Sequence, residues 1–353
     1  MNKVAIILIN YKDYAKKYLS DCLSSIRNQD FSGEIKLYIV DNETSEESFE
    51  YLKTSAPEAE IIRNKNNDGF AKGNNDAMKL ALNDGFDYVV LLNMDTISEK
   101  NAVAEMVKMA GSSEWVGVIQ SRLMLWPNKE KINSLGNDTH FLGFGFCRGY
   151  NENYNPEIIK DGVDIFYPSG AAVLFKSEVL KKIGLFDENY FMYNEDQDLG
   201  WRVWLAGYKC VLAKNSVVYH KYEFSRSISK YYFMDKNRII TALKNYKIIT
   251  LLVFLPAFVI MELGLFYFSF KNGWVKEKIR VWFLFFKFSF WKKIFLERKK
   301  IKHLRKIKDY KIIKMLSGKI WYQEISSPLL SLANFFLNIY FIFAKSLLKL
   351  FNV

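Results

Sequence analysis

The chain has only three cysteines in 353 residues, Cys22, Cys147 and Cys210, far apart and without a C-x-x-C spacing. Their number and spacing exclude a disulfide framework and a cysteine zinc site, and suit a reducing compartment. No signal peptide is expected at the N-terminus. The apolar run there is too short, and Lys12 and Asp13 follow it in place of a cleavage site. There is no internal repeat and no low-complexity linker. No nucleic-acid recognition motif accompanies the net charge of +12. What is present is a chain half apolar and 16% aromatic, enough for one large domain with an appendage.

The positive charge is concentrated. Residues 271–319 hold 17 Lys/Arg against three acids, a net +14, which leaves about −2 for the remainder. This block lies between two very apolar segments, so the partner it favours is anionic lipid rather than nucleic acid.

Residues 1–245 alternate between strand and helix patterns. Strands are expected over Val4–Ile9, Ile35–Val40, Glu60–Ile62, Tyr88–Leu92 and Val211–Val218. Helices are expected over Tyr14–Asn28, Glu46–Ser55, Gly73–Asp84 and Tyr193–Ala206, with short strands and loops over 115–170. Strands separated by helices imply right-handed parallel crossovers, with ligands at the strands' C-terminal ends. A second domain is expected over 246–353. Ile248–Phe270 has 23 residues, broken by Pro256 and Glu262, and could span a bilayer. Ser326–Ala344 and the shorter Val281–Trp291 are also apolar. A single full crossing would put the basic block opposite a cytosolic first half, against the positive-inside bias. The expectation is therefore a monotopic or re-entrant arrangement, with a hairpin broken near Pro256. Core helices of a soluble protein are the alternative.

Several constellations could carry chemistry. The apolar strand Tyr88–Leu92 ends in Asn93-Met94-Asp95, which delivers a carboxylate to a sheet rim. A turn residue would look the same. Asp41, also at a strand end, can accept the imide N–H of uracil or thymine, or can cap a turn. Asn66–Asn75 is a Gly/Asn-rich segment entering a helix, suited to phosphate or to plain capping, and Lys72 could add a charge. Ser169-Gly170-Ala171 is a small-residue turn that would admit a sugar closely. Glu195-Asp196-Gln197-Asp198 sets three acids at a helix start, where mutual repulsion can raise a pKa. Arg202, four residues beyond Asp198, can absorb that acid as an ion pair and leave Asp196 to act as a base. His220, one of three histidines, ends a strand and is read as a ligand or as a core residue.

Taken in order, Ile9-Asn10-Tyr11, Val40-Asp41-Asn42, Asn67–Ala71 with Gly73-Asn74-Asn75, Leu92–Asp95, Ser169–Ala171, Glu195–Asp198 and His220 resemble the family 2 glycosyltransferases. Within that family the pattern is similar to the bacterial rhamnosyltransferase and galactofuranosyltransferase-like branch, over about residues 3–240. The resemblance implies a GT-A fold, α/β and Rossmann-like, with a mostly parallel sheet flanked by helices and a C-terminal α-helical membrane-associated region. It implies an inverting enzyme of the hexosyltransferase type that moves a sugar from a UDP- or dTDP-linked donor to a saccharide hydroxyl in cell-surface polysaccharide biosynthesis. Asp41 would read the base. Asn10, Asn67, Gly73, Asn74 and Asn93 would line the nucleotide pocket. Asp95 and His220 would bind Mg²⁺ or Mn²⁺, and Asp196 would be the catalytic base. Ser169, Gly170, Glu195, Asp198 and Arg202 would support the acceptor side. The expected acceptor is a saccharide, such as one linked to polyprenyl diphosphate, presented at the cytoplasmic face of the membrane. Three departures from the pattern stand out: Asn93 replaces the first acid of the metal motif, Asp68 takes a usually apolar place, and Lys72 replaces a usual glycine. The rival readings are a processive polysaccharide synthase, which lacks its Gln-x-x-Arg-Trp-like motif here, and a non-catalytic membrane-bound nucleotide-binding scaffold.

Overall fold

The computed structural model describes residues 1–222, 228–321 and 328–353. Two compact units emerge. The first comprises Met1–Asn137, Cys147–Val203 and Tyr208–Glu223, and the second Asp138–Phe146, Trp204–Gly207 and Phe224–Val353.

In the first unit β1 (Lys3–Tyr11), α1 (Tyr14–Arg27), β2 (Glu34–Asn42), α2 (Glu46–Ser55), β3 (Glu60–Asn64), α3 (Gly69–Asn83) and β4 (Tyr88–Leu92) follow in strict alternation. The second half continues with β5 (Thr96–Ser98), α4 (Ala102–Ala110), β6 (Val116–Leu125), β7 (Ile132–Ser134), then β8 (Asn137–Thr139) and β9 (Gly145–Cys147), most of whose residues belong to the second unit, and β10 (Asp164–Ile165), β11 (Ala172–Lys176), α5 (Ser177–Ile183), α6 (Glu195–Leu205) and β12 (Lys209–His220). The main sheet has the order β10-β12-β6-β11-β4-β1-β2-β3, with β5 and β7 joined at its side. β1 is parallel to β2 and β4, and β12 to β6, while β11 runs against both β4 and β6. This is a mixed, mostly parallel central sheet of the GT-A kind.

The core follows from the sequence pattern. Val4–Leu8 is fully buried on both faces, as a near-continuous apolar run in a helix-covered sheet should be. α1 lays Ala15, Tyr18, Leu19, Cys22, Leu23 and Ile26 inward at helical spacing. α2 starts at a Ser45–Ser48 capping box.

The structure corrects two expectations in this unit. α3 begins at Gly69, four residues before the expected start. Asn75 favours caps over helix interiors, yet its amide both donates to Phe186 O and accepts from Phe186 N, so a tertiary contact overrides local propensity. The segment read as short strands contains a ten-residue strand, β6, in the middle of the sheet. Gln120 and Ser121 interrupt its apolar pattern and are fully buried, their polar atoms satisfied by Ser134 and Ser216.

The second unit is helical: α7 (Ile228–Asn245), α8 (Ile248–Lys271), α9 (Val275–Leu284), α10 (Phe288–Leu304), α11 (Asp309–Ile313) and α12 (Pro328–Leu350). α7, on the N-terminal side of the boundary expected at residue 245, clusters with this unit. Ser326 and Ser327, the start of the second expected apolar stretch, lie outside the described residues. The hairpin expected at Pro256 is absent, and α8 runs unbroken through that residue. Proline removes one i to i−4 bond, and burial of Phe254 and Ala257 on either side offsets the loss, with Phe254 packed on Phe341 of α12. α8 and residues 330–350 of α12 are each long and apolar enough to cross a membrane by length and composition.

Candidate active site

Strand directions decide which chain ends meet. Because β11 opposes both β4 and β6, β6 runs with β4, and β12 runs with β6. The C-terminal ends of β1, β2, β4 and β12 therefore share one edge with the start of β11. That edge gathers Asn10, Asp41, Asn93, Asp95, Ser169, Gly170 and His220, and it is the edge where open α/β sheets bind ligands.

Asp95 and His220 are 125 residues apart in sequence, yet the antiparallel pairing of β5 with β12 puts His220 opposite Thr96. His220 Nε2 then lies 3.3 Å from Asp95 Oδ1. Both residues are buried. Burial would lift the Asp95 carboxyl, but His220 and the Tyr14 hydroxyl hold it below the usual carboxylate range. On its other side, His220 Nδ1 is 2.9 Å from Asn133 Oδ1. An amide oxygen only accepts, so Nδ1 carries a proton. In a neutral ring Nε2 would then face the carboxylate with a lone pair, and Asp95 Oδ1 has no hydrogen-bond partner. A cation between them, a proton or a metal, resolves the conflict. A hard oxygen and an imidazole suit Mg²⁺ or Mn²⁺. Among the described residues no group of three or more His, Cys, Asp or Glu forms a metal-ligand set. The Asn93 amide makes no hydrogen bond among the described residues, while its backbone N–H donates to Ala171 O at 3.0 Å.

That backbone bond ties β4 to the Ser169–Ala171 turn. The turn is held from beneath by Gln120, whose Oε1 accepts from Ser169 N at 2.6 Å. The Gly170 N–H lies close enough to the Asp196 carboxyl to pull its pKa down. One short turn thus links the Asp95 strand to the acidic start of α6.

Asp196 is half-buried and Glu195 buried. Burial pushes the Asp196 carboxyl up to about 6, against the pull of the Gln197 and Gly170 N–H groups. Burial, and the neighbouring Asp196 charge, push Glu195 well above the ordinary value, and its Oε2 has no hydrogen-bond partner. The site therefore holds one carboxyl poised to take a proton near neutral pH, beside a second carboxyl whose burial favours its protonated form. The lead-in is strained: Phe191, Tyr193 and Asn194 all have left-handed φ, at 65°, 67° and 65°. The strain is braced by Ala71 N donating to Phe191 O at 3.1 Å. Gly69 must be glycine for that contact. Its φ is +78°, and a Cβ would lie 2.5 Å from Phe191 O.

Asp198 is fully buried and paired with Arg202, Nε to Oδ2 at 3.0 Å, the i,i+4 geometry expected from the sequence. Arg202 also donates to the carbonyls of Ile183, Gly184 and Leu185, closing the C-terminal end of α5. Arg202→Ala should cost about 3–5 kcal/mol, because Asp198 stays buried without its cation. A urea titration with an unchanged midpoint would contradict that reading.

On the opposite side of the edge, Asn10 Nδ2 donates to Asp41 Oδ1 at 2.7 Å, while Asn10 Oδ1 caps Ala15 N in α1. The Thr44 and Ser48 hydroxyls both donate to Asp41 Oδ2 at 2.7 Å. Asp41 is thus fully buried with three donors in hand. Asn67 Oδ1 accepts from Gly69 N at the start of α3. Gly73 lies one turn inside α3 against Asn42, and Asn74 Nδ2 returns to Phe70 O. Lys72 is engaged by Asp68 and Asp76, each at 2.8 Å. Tyr14, Thr44, Ser48, Gln120 and Asn133 escape sequence reading. Only Gln120 left a signal, as a polar residue inside an apolar run, which when buried must be bonded.

The family model "Glycosyltransferase like family 2" matches residues 2–242. Over 210 residues the chain is 24% identical to the low-salt glycan biosynthesis hexosyltransferase Agl10 of Haloferax volcanii, covering 57% of this chain and 62% of the relative. Over 52 residues it is 42% identical to the N-acetylglucosaminyl-diphospho-decaprenol L-rhamnosyltransferase of Mycobacterium tuberculosis, 15% of this chain and 17% of the relative. The chain thus spans less than two thirds of the length of these curated relatives. Among solved structures, GalNAc-T7 with UDP, GalNAc and Mn²⁺ superposes with TM-score 0.53 at 13% identity, covering 69% of this chain and 48% of that one. TarS of S. aureus superposes with TM-score 0.51 at 16% identity, covering 98% and 55%. These two share the fold.

Proposed function

The chain belongs to glycosyltransferase family 2, and from that premise we propose that it is an inverting hexosyltransferase acting on a UDP- or dTDP-linked sugar. The acceptor is a hydroxyl of a saccharide carried on polyprenyl diphosphate at the cytoplasmic face of a membrane, within cell-surface glycan biosynthesis. The observation that carries this reading is the Ser169–Ala171 turn, which is bonded through Ala171 O to Asn93 at the end of the Asp95 strand and sets the Gly170 N–H close enough to the Asp196 carboxyl to lower its pKa. An inverting transfer needs those two functions close together: stabilisation of the leaving diphosphate, and a base for the incoming hydroxyl.

Asp196 is the base. It takes the hydroxyl proton as the oxygen attacks the anomeric carbon, and a carboxyl with a pKa about 6 is ionised at neutral pH while still basic enough to act. Burial of Glu195 beside it disfavours a second repelling charge. Asp95 and His220 would hold a Mg²⁺ or Mn²⁺, whose chemistry there is neutralisation of the departing diphosphate. Oxygens of the donor and water would supply its remaining ligands.

Asn10, Asp41, Asn67, Gly73, Asn74 and Asn93 form the nucleotide side. Asp41 reads the base through Oδ2, since the Thr44 and Ser48 hydroxyls can rotate away whereas the Asn10 amide is fixed at both ends. The lipid-linked acceptor is carried over from the name of the mycobacterial relative and agrees with the two long apolar helices of the second unit.

The direct test is a binding screen of UDP- and dTDP-sugars with and without Mn²⁺. Absence of binding to every nucleotide-sugar in either condition would sink the proposal. Asn133 gives a finer test as a positioning residue. It fixes the His220 tautomer, so Asn133→Ala should weaken Mn²⁺-dependent nucleotide binding about 10–100-fold. Metal-free binding of the same nucleotide should hardly move, a split that general unfolding would not produce.

A further inference from the structure

The middle of α8 carries Glu262, and three helices of the second unit join there. Glu262 Oε2 accepts from Lys278 Nζ of α9 at 2.7 Å and from Trp282 Nε1 at 2.8 Å, and Oε1 pairs with Arg238 of α7. Asp235 closes the ring, accepting from Arg238 Nε at 2.9 Å and from Lys278 Nζ at 2.8 Å. All four charges are buried, Lys278 completely. Two cations and two anions balance, and every carboxylate oxygen in the ring has a partner.

The rest of α8 is the reverse. Leu252, Leu255, Val259, Leu263 and Phe270 are exposed along one stripe, while Thr250, Phe254, Ala257 and Glu262 face inward. α12 exposes a similar row, including Phe335, Phe336, Ile339 and Phe343. Between α9 and α10, Phe286 and Phe288 are each 84% exposed and flank Lys287. So much exposed apolar surface marks an interaction face. The basic residues of α9 and α10 among and beside these side chains suit a partner that is oily within and negative at its surface.

The charge ring decides how such a partner can be met. If α8 crossed a bilayer, Glu262 would enter hydrocarbon stripped of Arg238 and Lys278, or α9 would follow it in. α9 packs on α8 through the Phe266–Trp282 stack, with centroids 5.0 Å apart, and bears exposed Lys276 and Arg280. Either course puts uncompensated charge in lipid.

We propose that the Asp235–Arg238–Glu262–Lys278 ring makes the second unit a monotopic lipid-binding module. α8, the Phe286–Phe288 corner and α12 enter one leaflet of an anionic bilayer, and the two ends of α8 stay on the same side. The inference rests on the membrane location proposed above and adds its topology and lipid class.

The test uses the full chain with Cys147→Ser, so that the remaining cysteines, Cys22 and Cys210, are buried. Single reporters are introduced as Asn272→Cys, just past α8, and Glu157→Cys in the first unit, with circular dichroism confirming the fold. Protein is added to the outside of sealed vesicles of phosphatidylcholine, with or without phosphatidylglycerol, and treated with a membrane-impermeant maleimide. Retention should be at least about tenfold stronger with phosphatidylglycerol, and both cysteines should label from outside. Asn272→Cys labelled only after detergent means α8 crosses and overturns the topology while keeping the membrane reading. Equal retention on both vesicles overturns the anionic partner. No retention on either overturns the membrane location beneath it.

Discussion

Asp196→Asn should reduce sugar transfer by at least about 10²–10⁴-fold, the usual contribution of a positioned general base, while nucleotide-sugar binding stays close to wild type. The amide keeps the shape and can still accept from the Gln197 N–H through its oxygen, so the local fold should survive. It cannot take a proton. The pH profile carries the same information independently. Burial raises the Asp196 carboxyl, so its basic form is lost as pH falls through about 6. The acid limb of kcat/KM should therefore lie near 6 in the wild type. A limb near the unperturbed carboxylate value of about 4 would show that Asp196 is not the titrating base. Wild-type-like turnover by the asparagine variant would remove it from the mechanism altogether.

Asp95→Ala should abolish the effect of Mn²⁺ on nucleotide binding. Loss of an outer-shell partner costs about 10–100-fold in metal affinity, and loss of a ligand proposed above should exceed that. The backbone bond from Lys221 N to Asp95 O is untouched, so β5 and the end of β12 should hold their positions. Isothermal titration of a nucleotide-sugar with and without Mn²⁺ distinguishes the cases. Equal affinities in the variant, unequal in the wild type, are the expected result. A metal-dependent gain that survives in Asp95→Ala would place the cation elsewhere.

These two predictions draw on features of differing legibility. Asp95 stands where an apolar run stops, and the strand-end reading needs nothing beyond hydropathy and length. The Asp198–Arg202 pair is legible for the same reason, since residues four apart on a helix are neighbours whatever surrounds them. The early helix start at Gly69 is not, because it rests on amide contacts between Asn75 and Phe186, more than 100 residues away. β6 was obscured by Gln120 and Ser121, whose polarity looks like a break until Ser134 and Ser216 are seen to satisfy it. Pro256 misled through a local rule that packing overrode.

Sequence alone determined the alternation of strands and helices, the acids at the edges, the basic apolar tail and the family. All of these are written in periodicity and in motifs of a few adjacent residues. Tertiary structure decided the partners: His220 with Asp95 through the β5–β12 register, Asn133 behind the imidazole, Gly170 on Asp196, and the charge ring that closes around Glu262. The physical reason is range. Propensity and hydropathy act over one or two turns of chain, whereas desolvation and hydrogen bonding act on whatever the fold brings within about 3 Å. The carboxylates could be found in one dimension, but their protonation and their companions follow only from how they are buried.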